Sequence, residues 1–295
     1  MIRDELAAVV SITTDPCERL ATGVTFAQYS EWFEADEPWV LSSPKQLAVL
    51  RELEKKYRPI ETFGRVGIGV ATGNDSVYIV GEDVDIEPDR LVPLVMREDI
   101  VRGNIDDAHR FVINTFGPDG RIIDLSMYPR LARYFAERVD GVKKRHVAQK
   151  NPLSWYRTID RVYPDLALRP KLLIPDIAGS NEVVFEPGHY HPHHNLYFVT
   201  SAVWDLEVLG GLLSSRVALF FVWSYAVKMR GGYLRFQAQY LRRIRLPSPE
   251  NIDPRLADSL KIAFKVRDFK KLDSLALQAY QLDELPEFDF VDTRS

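Results

Sequence analysis

Four histidines stand within six residues in Gly188-His-Tyr-His-Pro-His-His194. Neutral imidazoles at that density have the donor chemistry for zinc. Glu186 is the one acid close by in sequence, and Pro192 leaves the ring geometry open. A polar surface turn is therefore expected for His189–His194, with no metal ligand assigned. Facing DNA, the same rings would touch phosphate, more strongly at low pH. Pro175-Asp176 followed by Glu182 has the outline of a metal-dependent nuclease core. Such a core needs an acid and a lysine two residues apart on the next strand, and Val183-Val184 stand there instead. No Gly-x-Ser-x-Gly elbow occurs, and the single cysteine, Cys17, has no motif around it.

Two further patterns come close to known chemistry and stop short of it. Gly67, Gly69 and Gly73 form a Gly-x-Gly-x-x-x-Gly run. A nucleotide-binding loop would need a strand before it and a helix after it. Ser76–Val80 is β-branched and aromatic, so the expectation is a glycine-bent hairpin whose turn is Thr72-Gly-Asn-Asp75. Amino-methylating enzymes hold the target nitrogen with an Asn/Asp-Pro-Pro-Tyr/Phe loop. The nearest stretch, Asn151-Pro-Leu-Ser-Trp-Tyr156, lacks the second proline and displaces the aromatic.

Charge is the stronger signal. Lys and Arg total 38, Asp and Glu 42, a formal net charge of −4 that gives no hint of a polyanionic partner. Its distribution does. Val208–Pro249 holds seven basic residues and no acid; Asp140–Lys171 holds eight against three acids. Glu82–Asp99 offsets them with seven acids against two arginines. Both basic stretches interleave with aromatic and amide side chains: Trp155, Tyr156, Tyr233, Phe236, Gln237, Gln239 and Tyr240. Lys and Arg neutralise phosphates, and Arg, Gln and Asn can pair with base edges. Two solvated basic faces over packed aromatics are the plainer reading of the same counts.

The elements that must position these residues read as α+β. Ser43-Pro44 opens a helix with Leu47, Leu50, Leu53 and Tyr57 on one face, ended by Arg58-Pro59. Strands are expected at Arg65–Gly73, Ser76–Val80, Arg110–Asn114, Lys171–Pro175, Glu182–Phe185 and Leu196–Thr200. Helices are expected at Tyr128–Val142, along Trp204–Val227 as one long element, and within Asp253–Tyr280. The acidic tail from Asp283 reads as a fraying end. This divides the chain into an N-terminal helical and linker segment (1–60), a β-rich recognition lobe (61–205) and a helical lobe with the acidic tail (206–295).

With 46% hydrophobic and 27% charged residues over 295 positions, the chain can bury a core without metal or disulfide. One cysteine excludes an internal disulfide framework and fits a reducing cytosol. Apolar runs such as Val217–Trp223 fall short of the ~20 residues a membrane helix needs. A cytoplasmic protein with no membrane partner is the expectation.

Five segments in a fixed order resemble one family. Gly67-Ile-Gly-Val-Ala-Thr-Gly-Asn-Asp-Ser-Val-Tyr-Ile-Val80 is similar to its Gly-x-x-Thr-Gly-x-Asn-x-x-Phe/Tyr-x-Ile segment, and Pro152-Leu-Ser-Trp-Tyr156 to its Trp-Tyr segment. Arg169-Pro-Lys-Leu-Leu-Ile-Pro-Asp-Ile177 is similar to its Pro-Lys-Ile-Leu-x-Pro-x-Ile strand. Leu209-Gly-Gly-Leu-Leu-Ser-Ser-Arg216 and Tyr240-Leu-Arg-Arg-Ile-Arg-Leu-Pro-Ser-Pro249 are similar to its Leu-Leu-Gly-Ile-Leu-Asn-Ser-Lys helix and Leu-x-x-Ile-Pro-Ile-Pro segment. Together they resemble the TaqI-like C-terminal specificity domain of N6-adenine DNA methyltransferases of restriction–modification systems, over roughly residues 40–285. Ser214 replaces the family's usual Asn, and the methyl-donor motifs are missing.

The resemblance implies a module that recognises a site on double-stranded DNA, with no catalytic residue and no cofactor of its own. S-adenosylmethionine would sit on a catalytic methyltransferase domain or subunit. Lys143, Lys144, Arg145 and Lys150 would meet phosphates, with Trp155, Tyr156 and Arg157 beside them. Arg230, Arg235 and Gln237, next to the flexible Gly231-Gly232, would read bases, with Arg242 adding charge. Tyr233 or Tyr240 would pack against sugar or an unstacked base, and Thr72, Asn74 and Asp75 would reach out from a hairpin tip. A metal-dependent nuclease using Asp176, Glu182 or the histidines, and a protein-interaction scaffold, are the alternatives.

Overall fold

Ser43 and Gln46 cap the first described helix, α1 (Pro44–Lys56), reciprocally. The Ser43 Oγ accepts the Gln46 N–H at 3.3 Å, and the Gln46 Oε1 accepts the Ser43 N–H at 2.7 Å. Leu47, Leu50 and Leu53 point into the core. The structure is a computed structural model and describes residues 40, 42–106, 108–178, 182–227 and 234–288.

Two four-stranded sheets carry the β-rich part. The first contains β1 (Gly64–Ile68), β5 (Lys171–Pro175), β6 (Val184–Glu186) and β8 (Leu196–Ser201) in the order β6-β5-β8-β1, antiparallel throughout. The second contains β2 (Ile79–Val80), β3 (Leu91–Val95), β4 (Phe111–Ile113) and β7 (His191–Pro192) in the order β7-β3-β4-β2. Its β7–β3 pair is parallel, with His191 opposite Leu94. In the first sheet Gly67 faces Phe198, and a Cβ there would run into the Phe198 ring.

The chain passes between the sheets four times, and two of these passages meet at one place. After β1 it leaves the first sheet through Val70 and enters the second at β2. After β7 it leaves the second through His193 and enters the first at β8. Val70 and His193 form a parallel bridge where these passages meet. The Val70 N–H donates to the Pro192 carbonyl at 2.9 Å, and the His194 N–H to the Val70 carbonyl at 3.1 Å. Gly69 allows this approach, because a Cβ there would overlap the carbonyl oxygens of Pro192 and His193.

The expected hairpin does not form. Asp75–Tyr78 is a short helix, α2, and the strands on either side of it belong to different sheets. The Asn74 carbonyl accepts from the N–H groups of Val77 and Tyr78, and the Tyr78 ring is fully buried. Burial of that ring and the closed turn override the β-propensity of Val77 and Tyr78. A separate small core forms around it from Leu131 and Phe135 of α3 (Pro129–Ala136), Val142 of α4 (Val139–Lys143) and Tyr156. The helix expected at Tyr128–Val142 is thus two helices. A third, α5 (His146–Lys150), follows, and α6 (Pro164–Ala167) leads into β5.

The helical part has the same kind of break. Trp204–Val227 is not one helix but α7 (Leu206–Leu213) and α8 (Arg216–Tyr225), bent by 59° at Ser214-Ser215. Ser215 Oγ caps α8 by accepting the Ala218 N–H, so the break is built by serine capping and not by the glycines. Gly210 instead lies flat against the Phe264 ring. Among the described residues no single helix is long and apolar enough to cross a membrane. After α9 (Ala238–Leu241), helices α10 (Pro254–Lys265) and α11 (Phe269–Tyr280) close the bundle. One core joins α1, one face of the first sheet and these helices. The tail does not fray up to Phe288: its ring packs on Phe220 and Trp223, and Glu284 pairs with Lys45 at 3.0 Å.

Candidate nucleic-acid interface

The expected phosphate-facing residues fall into two kinds. Lys143, Lys144 and Lys150, on or beside α4 and α5, are exposed, and none forms an ion pair among the described residues. Lys143 lies over the Trp155 ring, 5.1 Å from its centroid. Arg145 is spent on the fold. Its Nε donates to the Val142 carbonyl (3.1 Å) and Nη1 to the Thr72 carbonyl (3.0 Å). Nη2 meets the Tyr78 hydroxyl (2.6 Å) and the carbonyls of Trp155 and Arg157 (both 2.9 Å). The guanidinium also stacks on the Tyr78 ring at 4.6 Å. One arginine therefore fastens α4, the turn at Thr72 and the segment 155–157 to each other.

The neighbouring aromatics are packed accordingly. Tyr156 is buried, and its hydroxyl donates to the Ile123 carbonyl at 2.6 Å. Trp155 stacks edge-on against Phe135 and Tyr156 and stays partly exposed. Arg157 is partly buried with its guanidinium over the Phe116 ring. Leu153, between Lys150 and Trp155, is 97% exposed.

The turn at residues 72–75 faces inward more than the sequence suggests. Thr72 is fully buried, and its hydroxyl accepts the Asn74 N–H and donates to Asp75 Oδ1 at 2.5 Å. Asn74 is partly exposed and accepts from the Ser76 hydroxyl. Asp75 Oδ2 lies 3.1 Å from His193 Nε2, which lies 2.8 Å from His194 Nδ1. The histidine run is therefore not a uniform surface turn. His191 and His193 are each 2% exposed, whereas His189 and His194 face solvent. Burial pushes the His191 imidazole down to about 4, and burial followed by the neighbouring His194 lowers His193.

Arg230 and Tyr233 lie outside the described residues. Arg235 is ion-paired with Asp176, which raises the guanidinium pKa through that bond and charge. Gln237 stands at the start of α9 and accepts from the Gln239 amide at 3.3 Å. Tyr240 is partly buried against the helical core. Arg242 is exposed, pairs with Glu61 at 3.0 Å and donates to the Val66 carbonyl at 3.0 Å. The two acids considered for nuclease chemistry, Asp176 and Glu182, are likewise ion-paired, as is Glu186 near the histidine run. Asp176 holds Arg235, Glu182 holds Arg97 at 2.9 Å, and Glu186 is buried with Lys171.

A groove of about 600 Å3 opens beside β1, lined by Arg65, Arg161, Arg169 and Arg242 with Glu61 and Asp160 among them. It runs from Arg242 to the segment 160–161, just past the segment that Arg145 anchors. Arg65, Arg161 and Arg169 were not singled out from sequence. Arg161 and Arg169 lie within the basic stretch Asp140–Lys171, and Arg65 alternates with apolar Val66 in an expected strand.

No protein-family model matches the chain. It is 45% identical over 260 residues to the type II methyltransferase M.BstVI of Geobacillus stearothermophilus, covering 87% of this chain and 46% of that protein. It is 48% identical over 259 residues to M.XhoI of Xanthomonas vasicola, with 87% and 47% covered. With M.PaeR7I of Pseudomonas aeruginosa the identity is 49% over 248 residues, with 83% and 43% covered. All three are type II methyltransferases, and the chain spans about half the length of these curated relatives. In fold it resembles the type IIL restriction–modification enzyme MmeI, solved in complex with DNA: TM-score 0.56, 12% identity, 79% of this chain and 35% of that one. The chain is thus related to part of a methyltransferase.

Proposed function

We propose that this chain is the site-reading module of an adenine-N6 DNA methyltransferase of a restriction–modification system. In this reading it grips one side of duplex DNA while a catalytic domain or subunit, holding S-adenosylmethionine, acts on an adenine turned out of the stack. One observation carries it. The stretch aligns with nearly half of several type II methyltransferases, yet its own sequence contains no Pro-Pro-aromatic loop. A stretch of that extent without the loop suits the site-reading task of such an enzyme.

The surface supports this division of labour. Lys143, Lys144 and Lys150 supply charge with no carboxylate partner among the described residues, and the groove at Arg65 and Arg242 adds arginines with forked donors. Arg235 and Arg242 are held by carboxylates, which fixes their aim and leaves part of each guanidinium exposed to a base edge.

Fluorescence anisotropy with labelled duplexes across a salt series tests the reading. Changing Lys143, Lys144 and Lys150 together to Ala is expected to reduce the slope of log K against log salt by about 2–3, near 0.9 per lost phosphate contact. Wild-type chain that fails to bind duplex at low salt would remove the proposal in favour of a protein scaffold.

A further inference from the structure

We propose that Asp75, His193 and His194 bind one zinc ion at the meeting point of the two sheets. One donor atom from each of Asp75, His193 and His194 lies within 4.8 Å of the other two. Two imidazoles and a carboxylate form the nitrogen and oxygen set that suits zinc, with a fourth position left for water.

The proton count at this point favours a cation. His193 Nε2 lies 3.1 Å from the carboxylate oxygen and 2.8 Å from His194 Nδ1. The carboxylate can only accept. If Nε2 carries its hydrogen, one N–H is divided between two acceptors. If Nε2 is bare, its lone pair faces the carboxylate at 3.1 Å. A divalent ion would take the lone pairs of all three donors, with the His193 hydrogen carried on its other ring nitrogen, the buried Nδ1.

The ligands are held in place by the fold. His193 and His194 follow β7, and the backbone of His194 is bonded to Val70 at 3.1 Å. Asp75 arrives from 118 residues away, and the buried Thr72 hydroxyl fixes its other oxygen at 2.5 Å. That bond turns Oδ2 toward His193, the service an outer-shell partner gives a ligating carboxylate. His194 is exposed and Asp75 partly so, which leaves a path for the ion to enter.

The test uses the whole chain and metal alone, so its outcome is independent of DNA binding. Zinc titrated calorimetrically into metal-stripped protein is expected to bind at one ion per chain, and magnesium is not. Cobalt in its place is expected to show the intense visible bands of a tetrahedral site. Asp75→Asn and His194→Ala, at positions not fully buried, are each expected to weaken zinc by at least about 100-fold with unchanged circular dichroism. Thr72→Val is expected to weaken it by about tenfold. Absence of stoichiometric zinc in wild type would overturn the proposal, as would either ligand variant binding zinc like wild type.

Discussion

Replacing Arg145 with Ala separates a residue that grips DNA from one that holds the fold together. Its guanidinium donates to five acceptors on three segments and stacks on a buried ring. A hydrogen bond from a charged donor contributes about 1.5–3 kcal/mol. Arg145 is only partly buried, so water takes over some of these bonds. Counting two of the five as lost outright gives about 3–6 kcal/mol, a large fraction of the ~5–15 kcal/mol that holds a domain together. In urea this corresponds to a midpoint lower by roughly 1–2 M. Arg145→Lys restores a charge but not the fork, and is expected to recover less than half of the loss. Urea unfolding followed by tryptophan fluorescence measures the shift, and DNA anisotropy of the folded fraction measures the salt slope. An unchanged midpoint together with a salt slope reduced by about 1 would show that the residue contacts phosphate, and the structural assignment would be wrong.

Two further outcomes follow from the fold. Gly69→Ala places a methyl against the carbonyls of Pro192 and His193 and is expected to destabilise by more than about 2 kcal/mol, read by the same urea assay. Gly81→Ala, where a Cβ meets nothing within 4 Å, is the control. Burial alone would raise the Glu87 pKa, but donation to its carboxylate from the N–H groups of Arg130 (2.8 Å) and Leu131 (3.0 Å) outweighs it and leaves the pKa lowered. The stability Glu87 contributes is therefore present above its ordinary value of 4.5 and lost as pH falls through the lower folded value. Glu87→Gln is expected to flatten the fall in urea midpoint below pH 5, and an acid limb identical to wild type would exclude these two bonds as its source.

Some of this was legible in the sequence and some was not, for reasons that differ residue by residue. Ser43-Pro44 announced α1 because capping is local chemistry, and Lys171–Pro175 announced β5 because a short apolar run between breakers suits a buried strand. Val77-Tyr78 was misread because its helical state depends on a ring buried against Phe135 and Arg145, distant contacts that propensity does not contain. The bend at Ser214-Ser215 was hidden by Gly210-Gly211, which look like a break and serve as a packing surface. Exposure of the three lysines followed from their charge. The commitment of Arg145 could not, since all five acceptors are set by tertiary placement. Asp75 escaped the histidine cluster for the same reason: its partner is 118 residues away.

Because two of the chain's crossings between its sheets meet at one spot, the bonds there lie side by side under load. Sliding one sheet past the other cannot undo them in succession; it must break the bonds at Val70 and His194 together. The Val70–His193 bridge thus ties the two sheets to each other at the point where the two passages meet.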